Sequence, residues 1–155
     1  SSPVYAPHLS GQMKTFLDHY ANMWMVHKPN EEMFHKQAVV IAAASGPVYR
    51  AALREMKDSL DFWGVARTYT MGFALMEISW DRLSAKLKQK IARRSERTAA
   101  KLERGVSGPG PKVRFLFHAM RLAQKYAWPD SLDARWWREH GWLGRKRPWE
   151  KENMQ

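Results

Sequence analysis

An α/β fold built on a parallel sheet is the class this sequence predicts, and three adjoining stretches predict it. "QAVVIAAAS", Gln37 to Ser45, is an apolar run without polar alternation, the pattern of a strand covered on both faces in a parallel sheet. Ala52, Leu53, Met56, Leu60 and Trp63 then recur at helical steps. "VARTYTMG", Val65 to Gly72, places β-branched and aromatic residues at alternate positions, as a second strand does. Strand, helix and strand in this order make a right-handed crossover between parallel neighbours. With 155 residues, 45% of them apolar and 12% aromatic, the chain has the length and the side chains for one cored domain.

The elements follow in chain order. Ser1 to Tyr5 reads as the end of a strand, after which Ser10 is placed to cap a helix carrying Met13, Phe16, Leu17, Tyr20 and Trp24 and ending before Pro29. "NEEMFHK" is a polar connection into the first buried strand, which Gly46-Pro47 breaks. Gly64 suits the left-handed residue that closes the crossover helix. Beyond the second strand, Ser79 is placed to cap a long helix with Trp80, Leu83, Leu87, Ile91 and Leu102 on its apolar stripe, stopping by Gly105. "GVSGPGPK" is a linker, since Gly and Pro weaken both helix and ladder. The sequence thus divides into 1–104, the sheet-bearing part, and 105–155, a basic, Trp-rich helical extension. In that extension Lys112 to Ala127 forms one amphipathic helix with Val113, Leu116, Phe117 and Met120 on its packing face. A short helix capped by Ser131 or Asp130 and stopped at Gly141 follows, then a polar tail.

Composition narrows the function classes. The chain has no cysteine, which removes disulfides, thiolate nucleophiles and cysteine-ligated metal centres. It has no apolar run of membrane-spanning length and no secretory leader pattern in its first twenty residues, so a cytoplasmic protein is expected. No His-Glu-x-x-His helix, Gly-x-Ser-x-Gly elbow or Gly-rich phosphate loop is present, and the six histidines are scattered. A formal charge of +11, concentrated from Arg82 onward, points to an acidic partner. Nucleic acid is nevertheless disfavoured, because Trp80 and the Leu/Ile positions fall on the apolar stripe and leave no aromatics among the Lys/Arg of that helix. The series from Arg82 to Arg104 reads as a solvated face, and the tail tryptophans as contacts to the domain or to a second copy.

In open α/β sheets ligands bind at the carboxyl ends of strands. Two loops of this sequence fall there, the one after Tyr5 and "AASGPVY". The first, in "SPVYAPHLSGQMKTFLD", resembles the loop and helix after the third strand of the flavodoxin-like NAD(P)H-dependent FMN reductases and quinone reductases. "DARWWREHGWL" is similar to the tail of some members of that family. The family's first strand and phosphate-binding loop have no counterpart here, so the sequence resembles the carboxyl-terminal two-thirds of such a flavoprotein.

The resemblance implies a flavodoxin-like open parallel sheet, partial for want of its N-terminal strands, with a helical appendix. It also implies FMN as cofactor, NAD(P)H as reductant, a quinone or other small molecule as electron acceptor, and a homo-oligomer such as a dimer. No catalytic side chain is then required, since the flavin performs the hydride chemistry. Ser2, Pro3, Val4, Tyr5, Ala6, Pro7 and His8 would form the loop at the isoalloxazine edge, and Ser45 and Gly46 its second wall. No residue is expected to bind a metal. The alternative is a non-enzymatic basic module that binds nucleic acid or a protein partner through its helical tail.

Overall fold

The computed structural model describes residues 1–6 and 8–150. It is an α/β protein with one open, mostly parallel four-stranded sheet, and it resolves into two compact units interleaved along the chain. The first comprises Ser1–Asp18, Gln37–Asp58 and Thr68–Gly105; the second comprises His19–Lys36, Ser59–Arg67 and Val106–Gln155.

The first unit carries the sheet, in the order β2-β1-β3-β4. Its strands are β1 (Ser2–Tyr5), β2 (His8–Leu9), β3 (Gln37–Ala44) and β4 (Arg67–Ala74). β1 runs parallel to β3, with Ser2 opposite Ala42 and Pro3 opposite Ala43. It turns back antiparallel onto β2, pairing Val4 with Leu9 and Tyr5 with His8. The Leu75 amide, just past β4, donates to the carbonyl of Ala44 at the end of β3, so these two strands finish together. The strand-helix-strand reading therefore holds, with β3 and β4 as neighbours.

Burial on β3 is more one-sided than the apolar run predicts. Val40 and Ala42, two apart and so on one face, are buried, while the other six positions of the strand are half-buried. Against this sheet the chain sets α1 (Gly11–His19), the first part of α2 (Arg50–Phe62) and α3 (Ala85–Glu103). Ser10 caps α1, its hydroxyl accepting from the Met13 amide. Gly72 of β4 is required by packing, because a Cβ there would fall inside the Tyr49 ring and against Leu53.

Two helix boundaries differ from the sequence pattern. α1 stops at His19, although Tyr20 and Trp24 continue its apolar spacing. Those rings instead pack edge-on against Trp63 and tilted against Phe62, within the second unit. The cap of α3 is Ser84, whose hydroxyl accepts from the Leu87 amide, and not Ser79. Trp80 accordingly lies outside the helix, 56% exposed, rather than on an apolar stripe. α3 has no fully buried residue: Leu87, Ile91, Arg94, Thr98 and Leu102 are its half-buried line.

The second unit is helical and aromatic. It holds α4 (Pro111–Leu122), a π turn over Ala123–Ala127 and α5 (Leu132–Glu139). Met25, Phe34, Val113, Phe117, Trp137 and Trp142 form its buried core, with Leu116, Met120 and Trp149 packed on it. Phe117 stacks on Trp137 at 5.0 Å and meets Phe34 edge-on at 5.7 Å. The packing face foreseen for the Lys112 helix is thus the one that is used. The helix itself is interrupted, since at the π turn Gln124 is buried and donates to the Val26 carbonyl at 2.6 Å while accepting from the Ser131 hydroxyl. Ser131 caps α5, and Gly141 ends it at φ 73. The tail is less polar than its sequence reads: Pro148 is buried, and Trp149 contacts Phe117 at 5.0 Å. Asp61, only 2% exposed, is paired with Lys112 at 2.9 Å.

Candidate functional site

The parallel register of β1 and β3 governs where the two sequence-selected segments lie. Continued past Pro3 and Ala43, it brings Tyr5 level with Ser45, so the ends of both strands open at the same edge of the sheet. Tyr5 presents its ring there, 65% exposed. Ala6 adopts φ 44, a left-handed conformation that a non-glycine residue enters at a cost and that reverses the chain toward β2. Ser45 is exposed, and a Cβ built on Gly46 would meet nothing within 4 Å, so the backbone at Gly46 faces open space.

Other members of the set are engaged elsewhere. Ser2 is buried; its hydroxyl donates to the Pro3 carbonyl at 2.7 Å and accepts from the Ser10 amide at 3.3 Å, tying β1 to the start of α1. Pro3 is exposed and Val4 half-buried. His8 is a strand residue rather than a loop residue, and its Nδ1 lies 2.7 Å from Glu55 on α2. Pro7 lies outside the described residues. Among the described residues of this stretch, Ser2–Tyr5 is a strand, Ala6 turns the chain and His8 begins a second short strand, while the end of β1 runs alongside the end of β3, which leads into Ser45 and Gly46.

A larger concavity lies between β4 and α3, within the first unit. About 760 Å³ in volume, it is walled by Thr68, Tyr69 and Thr70 on the strand and by a row of cations on the helix. Lys86, Lys90, Arg93, Arg97 and Lys101 fall at steps of three or four, one per turn, and all face it. Arg94 forms its floor, donating to the Thr70 and Gly72 carbonyls at 3.2 Å and lying over the Phe73 ring. At the far end the Tyr69 hydroxyl donates to Gln37 at 3.2 Å, and Gln37 donates to the Leu102 carbonyl at 2.9 Å, which fixes the end of the helix. The regular cation spacing and the strand are both visible in the sequence, but the packing of α3 beside β4 that turns a helix face into a groove is not.

In the second unit, Arg121 and Arg147 each donate to the Gly144 carbonyl at 2.9 Å, close to His118. Burial, and then the charges of Arg147, Arg121 and Arg114, hold the His118 imidazole below its ordinary range. Burial and Arg121 likewise lower Arg147, partly offset by Glu150. Among the described residues no helix is long and apolar enough to cross a membrane, and no group of three or more His, Asp or Glu could hold a metal ion.

No protein-family model matches the chain, and a search of curated proteins finds no match.

Proposed function

We propose that the chain is the ring-binding part of an FMN-dependent NAD(P)H oxidoreductase of flavodoxin-like fold. The observation that carries this reading is the β1–β3 register, which sets Tyr5–Ala6 beside Ser45–Gly46 at the carboxyl ends of neighbouring parallel strands, where α/β sheets bind ligands. Bound FMN would supply the hydride chemistry, from a nicotinamide to a quinone or similar small acceptor.

The chain's own groups would bind and orient. The exposed Tyr5 ring offers an apolar face to the isoalloxazine. Open space at Gly46 lets backbone approach the ring edge, where an amide can meet negative charge. Ser45 adds a hydroxyl at the same edge. His8 acts at one remove, since its bond to Glu55 anchors β2 on α2 and so fixes the reversal at Ala6.

Titration of FMN and of riboflavin with the chain, followed by flavin fluorescence, tests the reading. Saturable quenching of both is expected, with dissociation constants within about threefold of each other, because a site built from these residues grips the ring they share. Tyr5→Ala should weaken both about tenfold, the size of one lost aromatic contact. Absence of saturable quenching up to millimolar protein would overturn it.

A further inference from the structure

In the second unit, three guanidiniums and an imidazole come together where the tail crosses α4. Arg114, His118 and Arg121 follow one another at helical steps and so share one face of α4. Arg147 reaches that face from the tail: its Nη1 and the Arg121 Nη2 both donate to the Gly144 carbonyl at 2.9 Å, so the two guanidiniums converge on a single oxygen. The Trp149 ring backs the group, 6.1 Å from the His118 ring and 5.6 Å from the Arg114 guanidinium carbon. We propose that Arg121, Arg147 and His118 bind the phosphate group of a small soluble ligand, either free phosphate or a phosphomonoester. The site is separate from the residues of the flavin reading.

Two features set this cluster apart from a solvated basic face. It is partly withdrawn from water, since Arg121, Arg147 and His118 are half-buried and the Arg121 Nε is buried without a hydrogen-bond partner. Its charge is also uncompensated: among the described residues no carboxylate forms an ion pair with Arg114, Arg121 or Arg147, and Glu150, which acts on Arg147 from a distance, is exposed. Like charges gathered away from water repel, and the cost shows in His118 and Arg147, both held below their ordinary ranges by burial and then by neighbouring guanidiniums. The carbonyls of Leu143, Gly144 and Lys146 engage one nitrogen of each fork, Arg121 Nη2 and Arg147 Nη1, which leaves further N–H groups on both. A tetrahedral dianion offers an oxygen to each fork and another to the imidazole, which it favours in the protonated, donating form. A carboxylate brings one charge and two oxygens. A nucleic-acid strand spreads single charges along its length, whereas these cations meet at one point.

Proton NMR of the His118 ring in the whole chain tests the proposal, with phosphate compared with chloride at matched ionic strength. The charged groups acting on His118 are Arg114 and Arg121 on its own helix and Arg147 on the tail, so a bound dianion should move its titration midpoint up, saturating with a dissociation constant of about 1 mM. Arg147→Gln should weaken phosphate binding about tenfold, the size of one charge-assisted bond, and Arg147→Lys, which keeps the charge and loses the fork, about threefold. Arg135→Gln removes the same charge from an exposed position on α5 and should change binding less than about twofold. Glycerol 3-phosphate separates the two sources: binding at least as tight as that of inorganic phosphate supports a phosphomonoester site, and weaker binding supports a site for free phosphate. A His118 midpoint that phosphate leaves unmoved would overturn the proposal, and this readout does not depend on any variant folding. So would equal losses from Arg147→Gln and Arg135→Gln, or tighter binding of acetate, of oligo(dT) or of vesicles containing phosphatidic acid than of both phosphate probes.

Discussion

The two units reach compactness by opposite means. The sheet-bearing unit buries small and medium side chains, such as Val40, Ala42, Leu53 and Met71, and sets alongside them a nineteen-residue helix with nothing fully buried. The helical unit buries rings: Phe34, Phe117, Trp137 and Trp142 are all at 0% exposure and in mutual contact. A ring carries far more apolar area than an alanine or a valine, so stability should concentrate in the second unit. The first unit leaves polar and charged surface free for ligands, and the strand-end loops and the α3 groove lie there.

The sharpest test of this contrast is a pair of truncations. Phe117→Ala should cost about 3–5 kcal/mol, the range for a large buried ring, and Val40→Ala about 1.5–2 kcal/mol for two methylenes, both read from urea unfolding. Comparable losses would break the comparison. A pair of glycines sharpens it next. Gly64 sits at φ 89 with a would-be Cβ 2.8 Å from the Phe34 ring, so Gly64→Ala should cost about 2–4 kcal/mol through backbone strain and overpacking. Gly46 has an ordinary extended backbone and open space, so Gly46→Ala should change stability by less than about 0.5–1 kcal/mol.

Helix caps give a smaller difference. Ser131 accepts from the Ala134 amide at 2.9 Å and donates to Gln124, while Ser84 accepts from Leu87 at 3.3 Å on an exposed helix. Ser131→Ala should cost about 1–2 kcal/mol and Ser84→Ala about 0.5 kcal/mol, measured by thermal unfolding. The smallest effect is electrostatic. Burial and three arginines depress the His118 pKa, so between the folded value and the ordinary 6.5 the unfolded chain binds more protons. Its contribution to stability is present above pH 6.5 and is lost as pH falls through the folded pKa. His118→Gln should flatten that acid-side decline, as urea unfolding between pH 5 and 7.5 will reveal.

Much of the fold could be read from local chemistry. β3 and β4 declare themselves by side-chain type, and Gly64, Ser131 and Gly141 by the backbone roles that few residues fill. The errors arise where one local signal has two solutions. Ser79 and Ser84 both precede apolar residues at helical spacing, and burial of Leu83, at 6% exposure, ahead of the helix favours the second. Tyr20 and Trp24 keep helical spacing, but their rings are taken by Trp63 and Phe62, partners far along the chain. For the candidate sites, sequence marks the charge and the loops. It does not mark register or packing, and these are what bring the ends of β1 and β3 side by side and set the α3 cations beside β4.

The interleaving of the units has a consequence for the order in which they can form during synthesis. All three segments of the first unit have emerged once Gly105 has left the ribosome. The second cannot complete its core until Trp137 and Trp142 arrive, and the Trp137 indole bonds to a carbonyl, that of His27, 110 positions earlier. Until then Met25 and Phe34 are translated but lack Val113, Phe117, Trp137 and Trp142, which complete their core, so the apolar side chains of this unit wait longest for cover.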